Sequence, residues 1–263
     1  MTGILDKIIR RTREDLSIRK KEKSISDLRS LPLYEKPRRD FGESLKVSQP
    51  VTVIAEFKRA SPAKGIIRPD CPPDSVAISY ETNGARAVSV LTDKPFFQGG
   101  VDDLAAVSQA IHLPVLRKDF IVDFYQIEEA RAWGADAVLL IVKITDGSQL
   151  FELHDAAVEA GLQTLVECYD RDDWERLDFD RFGIVGVNNR NLNNFEVNLH
   201  QGVSLLQTAP GGVIRVSESG IGSPKDLTYL QEQGIHCALI GETLMRAEYP
   251  GLELARFLGT AAH

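Results

Sequence analysis

From residue 51 onward the chain alternates short runs rich in Val, Ile, Leu and Ala with longer stretches whose apolar residues recur at helical spacing. The apolar runs fall near residues 51–58, 87–92, 114–118, 136–142, 163–168, 183–188, 213–217 and 237–240. Such runs suit strands buried on both faces. Between them lie amphipathic segments such as Val101-Asp102-Asp103-Leu104-Ala105-Ala106-Val107 and Leu150-Phe151-Glu152-Leu153-His154-Asp155-Ala156-Ala157. Asn83-Gly84, Gly134, Gly161, Pro210-Gly211-Gly212 and Gly234 stand where helices should stop before the next strand. Strands alternating with helices imply a parallel sheet, and eight such units predict a closed (β/α)8 TIM barrel rather than an open doubly wound sheet. No Gly-x-Gly-x-x-Gly follows an early strand, which argues against a dinucleotide-binding domain.

Ahead of the barrel, Ile4, Ile8, Ile9, Leu16 and Ile18 are spaced among Lys and Arg, as in one or two amphipathic helices lying on a larger body. The chain is therefore expected to be one domain, with residues 1–46 an N-terminal helical extension and residues 47–263 the barrel. The basic residues Arg10, Arg11, Arg13, Arg19, Lys20 and Lys21 read as a solvated helix face. A length of 263 residues suits a single α/β barrel, for which about 250 is typical. No apolar run approaches the ~20 residues of a membrane span, and the amino terminus lacks the apolar core of a secretory signal. No membrane association and a cytoplasmic location are expected. The net charge of −7 argues against a nucleic-acid partner but permits a locally basic pocket for an anion. Cys71, Cys168 and Cys237 are far apart and read as apolar filler, so neither disulfide nor metal is expected.

The informative polar residues lie at strand ends. In Val53-Ile54-Ala55-Glu56-Phe57-Lys58-Arg59-Ala60-Ser61-Pro62, an apolar run ends in Glu56 and Lys58, which alternate and so face the same side. A structural ion pair and a catalytic pair both account for this. Arg117, Lys118 and Asp119 end the third strand, Glu167 the fifth, Asn188, Asn189 and Arg190 the sixth, and Ser217, Glu218 and Ser219 the seventh. In a (β/α)8 barrel that end carries the chemistry, and the convergence favours an active site using lysine and glutamate for proton transfer. Lys143 reads as solvated, and the histidines at 112, 154, 200, 236 and 263 fall away from strand ends, which argues against histidine catalysis. The turns Ser219-Gly220 and Gly241-Glu242 follow strands seven and eight, where barrels often cradle phosphate with backbone N–H groups and a short extra helix.

These motifs resemble the indole-3-glycerol-phosphate synthase family. The resemblance spans essentially the whole chain and is carried by Glu56-Phe57-Lys58-Arg59-Ala60-Ser61-Pro62, Ser89-Val90-Leu91-Thr92-Asp93, Leu116-Arg117-Lys118-Asp119-Phe120, Leu165-Val166-Glu167, Asn188-Asn189-Arg190 and Glu218-Ser219-Gly220-Ile221. It implies a phosphorylated small-molecule substrate, 1-(2-carboxyphenylamino)-1-deoxyribulose 5-phosphate, closed to an indole with loss of CO2 and water, and no cofactor. By this resemblance Lys118 is the general acid at the ribulosyl carbonyl. Lys58 contacts the anthranilate carboxylate and serves as a second acid, Glu167 carries protons in dehydration, and Glu56 and Asn188 position them. Ser61, Arg190, Glu218, Ser219, Gly220, Gly241 and Glu242 match binding positions, with Ser219, Gly220 and Gly241 around the phosphate; Phe97, Phe120 and Leu139 face the aromatic ring. Ala63 stands where serine is common, and Asn191 where aspartate often follows the arginine, which bears on how Arg190 is oriented. A monomer is expected. The alternatives are a phosphoribosylanthranilate isomerase-like barrel, which would use cysteine and aspartate where this chain offers Glu56 and Lys58, and a phosphosugar-binding barrel without turnover.

Overall fold

In the computed structural model, which describes residues 3–46, 51–191 and 195–260, eight parallel strands close into a barrel. They are β1 (Thr52–Phe57), β2 (Ala87–Leu91), β3 (Val115–Lys118), β4 (Ala137–Ile141), β5 (Gln163–Cys168), β6 (Ile184–Asn188), β7 (Ile214–Glu218) and β8 (Cys237–Ile240). Each boundary lies within one residue of the expected one. Helices follow the strands, as in Val101–Ala110 after β2 and Gln149–Glu159 after β4. They end where the turn signals stand: Gly84 and Gly134 adopt φ values of 98° and 87°, which cost glycine little.

Because successive strand residues point to opposite faces, the closed sheet has two cores. Val53, Ala55, Phe57, Val88, Val90 and Leu140 face outward and pack with Leu104, Val107 and Leu153 of the helices. Ile54, Leu116, Leu139, Leu165, Val216 and Leu239 face inward and fill the barrel. Continuing each inward row toward the strand's carboxyl end, apolar residues give way to polar ones. Ile54 is followed by Glu56 and then Lys58, Leu116 by Lys118, Leu165 by Glu167, and Val216 by Glu218. The alternation that fills the barrel thus also gathers the charges at one end.

The extension forms α1 (Ile4–Glu22), α2 (Ile25–Arg29) and α3 (Phe41–Leu45). Ile8 of α1 joins the inward core beside Phe120 and Ile141, so the start of α1 lies over the carboxyl mouth. Phe41 of α3, fully buried, joins the same core at the opposite end. There the Phe41 and Gly42 N–H groups donate to Oε1 of Gln163, the first residue of β5, at 2.5 and 3.0 Å. Between α2 and α3, Arg39 is held by Asp136 at 2.8 Å, and Asp136 also accepts from the Val115 N–H at 2.8 Å.

The expected grouping of Arg117 with Lys118 on the mouth is corrected. The two are neighbours on one strand, so Arg117 points outward under the helices, fully buried. Its guanidinium pairs with Asp119 at 2.8 Å and Glu129 at 2.6 Å, and it donates to Thr92 Oγ1 at 3.0 Å. Arg19 of α1, expected to be solvated, reaches the same Glu129 at 2.5 Å. Burial opposes the charge on Arg117, but Glu129 and Asp119 outweigh it and hold its pKa above the usual value. Removing one member of such a network leaves buried charges unpaired. Arg117→Met should therefore lower the unfolding free energy by about 3–5 kcal/mol in denaturant titration. Arg11→Met, which removes a half-exposed i,i+4 pair with Asp15, should cost no more than about 0.5 kcal/mol.

Candidate active site

The inward charges meet in one cavity of about 390 Å³ at the carboxyl mouth, lined by the five expected catalytic residues and by all ten expected binding residues. Its floor is an ion cluster. Lys118 Nζ lies 3.3 Å from Glu167 Oε2 and 3.3 Å from Glu218 Oε2, and Lys58 Nζ lies 2.6 Å from Glu56 Oε1. The side chains of Lys118 and Lys58 are only 13% and 15% exposed, so these are pairs in a poorly screened setting. Glu56 and Lys58 are thus an ion pair, as one reading of the sequence has it, and the pair lines the cavity.

The electrostatics differ from group to group. Burial alone would favour neutral Lys118, but Glu167, Glu218 and Glu56 outweigh it and hold the ammonium's pKa above the lysine range. Burial also opposes the charge on Glu56, yet Lys58 and Lys118 keep its pKa below the carboxylate range. Glu218 goes the other way: burial pushes it up, Lys118 pulls it down and neighbouring Glu167 pushes it up, which together leave its carboxyl at about 8. Neither Glu218 oxygen has an aligned hydrogen bond, despite the short approach to Lys118, so little compensates for its desolvation. Expected as a binding residue, Glu218 sits against Lys118, the lysine that the resemblance makes the acid.

Around this floor the walls divide by chemistry. Phe97 and Phe120 are in contact, their ring centroids 6.1 Å apart and tilted by 38°, and with Leu139 they give the cavity an apolar wall. Phe97 is carried by a one-turn helix, Lys94–Phe97, whose first turn is capped where the Phe96 N–H donates to Asp93 at 2.8 Å. Ser219 and Gly220, which also line the cavity, are successive residues with φ of 67° and 77° in the loop after β7, where barrels often hold a phosphate. Ser219 is a non-glycine in the left-handed region, and its carbonyl is pinned by the Asn189 side-chain amide at 2.9 Å. Thr243 donates to the Ile221 carbonyl at 3.0 Å, tying the β8 loop to the β7 loop. Glu242 opens the short helix Glu242–Arg246 and lies among three cations, Arg190 at 3.2 Å, Arg246 at 3.3 Å and Lys64 at 3.9 Å. That contact orients Arg190, whose backbone N–H donates to Asn188 Oδ1 at 3.1 Å. Ser61 reaches the cavity from a two-stranded hairpin, Ala60–Ser61 with Gly65–Ile66, its hydroxyl buried and unpaired.

Sequence reasoning missed the apolar lid of Ile4, Leu5 and Ile8, and the wall formed by Phe195 and Val197. The apolar stripe of α1 was visible, but nothing in it says which end of the barrel it covers. Lys143 is half-exposed and paired with Asp170 at 2.8 Å, outside the cavity. Among the described histidines none lines the cavity, and His263 lies outside the described residues. Cys71, Cys168 and Cys237 are buried free thiols. Among the described residues no group of three or more His, Cys, Asp or Glu is placed to hold a metal ion, and no helix is long and apolar enough to cross a membrane.

Fold and site together define a (β/α)8-barrel enzyme whose working end joins a lysine–glutamate cluster to an apolar wall and the glycine-bearing loops after β7 and β8. The family model for indole-3-glycerol phosphate synthase matches residues 5–257. The chain belongs to the indole-3-glycerol phosphate synthase family, the carboxy-lyases of tryptophan biosynthesis. It is 46% identical over 256 residues to the indole-3-glycerol phosphate synthase of Salinibacter ruber, covering 97% of this chain and 94% of that one. With the enzyme of a Polaromonas species it shares 44% identity over 262 residues, 98% of this chain and 99% of the other. Among solved structures, a mutant tryptophan synthase α-subunit from Pyrococcus furiosus superposes with a TM-score of 0.62 at 14% identity, covering 79% of this chain and 98% of that one. A thiamine phosphate pyrophosphorylase from the same organism gives 0.58 at 13% identity, covering 81% and 96%. Both likenesses concern the fold alone.

Glu218 yields a pH test. Its folded pKa of about 8 lies above the ordinary 4.5, so the folded chain binds this proton more tightly than the unfolded one. The stability it contributes is complete below pH 4.5 and is lost as pH rises to 8. Glu218→Gln cannot ionise, so its melting temperature relative to wild type should climb across that window and level off above it. A difference that stays flat with pH would refute the buried, protonated carboxyl.

Proposed function

We propose that the cavity closes 1-(2-carboxyphenylamino)-1-deoxy-D-ribulose 5-phosphate to indole-3-glycerol phosphate, with Lys118 as general acid. The observation that carries this is the position of Lys118: a buried ammonium between two glutamates, in a cavity that it shares with the apolar wall of Phe97 and Phe120 and with the loops after β7 and β8. The aromatic ring of the substrate lies against the wall of Phe97, Phe120 and Leu139, its carboxylate near Lys58. The phosphate rests on the Ser219-Gly220 bend beside Gly241, within reach of Arg190. With both ends held, the ring carbon bearing the carboxylate faces the ribulosyl carbonyl, and the entropy cost of closure falls on binding.

Attack by that carbon places negative charge on the carbonyl oxygen, and Lys118 stabilises the charge and then donates the proton. Loss of CO2 returns the electron pair to the ring. The new hydroxyl leaves as water with a proton supplied by Lys58, while Glu167 takes a proton from the adjacent methylene carbon. Glu56 and Asn188 hold Lys58 and Arg190 in place, and Ser61 and Glu242 border the bound substrate. In this reading the chain works as one unit, as a monomer in the cytoplasm without a nucleic-acid partner. The lid of α1 completes the mouth from the same chain, and the net charge of −7 disfavours polyanions.

The test is turnover followed by indole fluorescence. Lys118→Met keeps most of the stem's packing but deletes proton and charge, so kcat should fall by about 10² to 10⁴. Lys64→Met removes a half-exposed cation at the rim and should stay within about threefold of wild type in kcat. Glu167→Gln should release CO2 faster than it forms indole. A Lys118→Met enzyme with near-normal kcat would overturn the assignment, and a chain that binds the substrate without turnover would favour the binding-barrel alternative.

A further inference from the structure

Glu218 belongs to β7 and Glu167 to β5, and β6 runs between them. The β6 residue opposite Glu167 in the parallel register is Gly186, two positions before Asn188, which is itself opposite Glu218. Gly186 belongs to an inward-facing row, because Ile184 of the same strand packs in the barrel core. Any other residue there would place a side chain between the two glutamates. A Cβ built on Gly186 falls well under 3.0 Å from Glu218 Oε1, 3.2 Å from its Cδ and 3.3 Å from Leu165 Cδ1. The Glu218 carboxyl therefore lies in the notch that the glycine leaves, and from there it reaches Lys118 at 3.3 Å.

We propose that Gly186 is a positioning residue for the reaction: its missing side chain lets Glu218 lean across β6 to join Lys118 and Glu167 in one cluster. The glycine touches no substrate and acts through the carboxyl it admits. Its backbone needs no left-handed conformation, because Gly186 is not among the positive-φ glycines. The requirement is for space. The atom that would yield to an added methyl is the end of the Glu218 side chain, so the fold can survive while the carboxyl moves. The added methyl would occupy the place of the Glu218 carboxyl, which must then leave its position against Lys118.

The inference rests on Lys118 being the acid, and the full-length chain allows the two to be tested apart. Gly186→Ala should unfold cooperatively within about 5 °C of wild type. Its kcat should fall by roughly 10- to 100-fold with KM nearly unchanged, the signature of a displaced group rather than lost binding. In a Glu218→Ala background the same glycine substitution should cost less than about twofold, because the side chain it displaces is gone. Equal losses in both backgrounds, or no loss in the wild-type background, would overturn the proposal. Should Gly186→Ala fail to fold, restoration of folding by Glu218→Ala supports the notch, and failure of the double variant overturns it. The pH-dependence of unfolding assigned to Glu218 supplies a readout independent of turnover. Gly186→Ala should shift or abolish it even if Lys118 were not the acid, and an unchanged dependence would show that the carboxyl has not moved.

Discussion

An ammonium enclosed by a barrel must either lose its proton or be surrounded by carboxylates, and much of this site follows from the second solution at Lys118. Glu167 and Glu218 approach it to 3.3 Å, and Glu56 adds its field from across the mouth while pairing with Lys58. Two lysines then face three carboxyls, an imbalance of one negative charge. A proton retained on Glu218 at neutral pH removes that imbalance, so the empty site is near electrical balance before an anionic substrate arrives. Incoming carboxylate and phosphate then meet cations that have not been neutralised in excess by the protein's own acids.

The same strand carries a second, unrelated solution to a buried cation. Arg117 is one residue from Lys118 yet faces the helix layer, where Asp119 and Glu129 enclose it and Arg19 brings α1 to the same carboxylate. The outer network fixes the helix whose first turn roofs the cavity. Its role is packing and docking, whereas the inner cluster faces the cavity. Only the period-two alternation of a strand keeps the two apart.

That alternation also explains what the sequence made legible. Strand runs appeared at their true positions because buried parallel strands are written as nearly continuous apolar segments, and the catalytic candidates appeared because charge at the end of such a segment is conspicuous. Lys118, Glu167, Glu56 and Lys58 were readable for that reason. Arg117 was misplaced because linear proximity to Lys118 hides their opposite directions. Gly186 gave no signal, since a glycine inside a strand reads as a weak position until the side chain leaning over it is seen. Likewise, the stripe of Ile4, Ile8, Ile9, Leu16 and Ile18 announced a helix on a larger body, but its place over the mouth depends on three-dimensional closure.

The extension covers both ends of the barrel, with Ile8 at the mouth and Phe41 at the opposite end. Both residues precede every strand in the chain, yet their partners, such as Ile141, Ile184 and Val216, come from β4, β6 and β7. These contacts cannot form until most of the sheet exists, so a segment made before any strand is among the last to dock. Loops of such length carry an entropy cost that contacts repay only late, which slows folding and leaves the apolar faces of α1 and α3 uncovered meanwhile. The extension is therefore both the closure of the finished barrel and the stretch most in need of protection during synthesis.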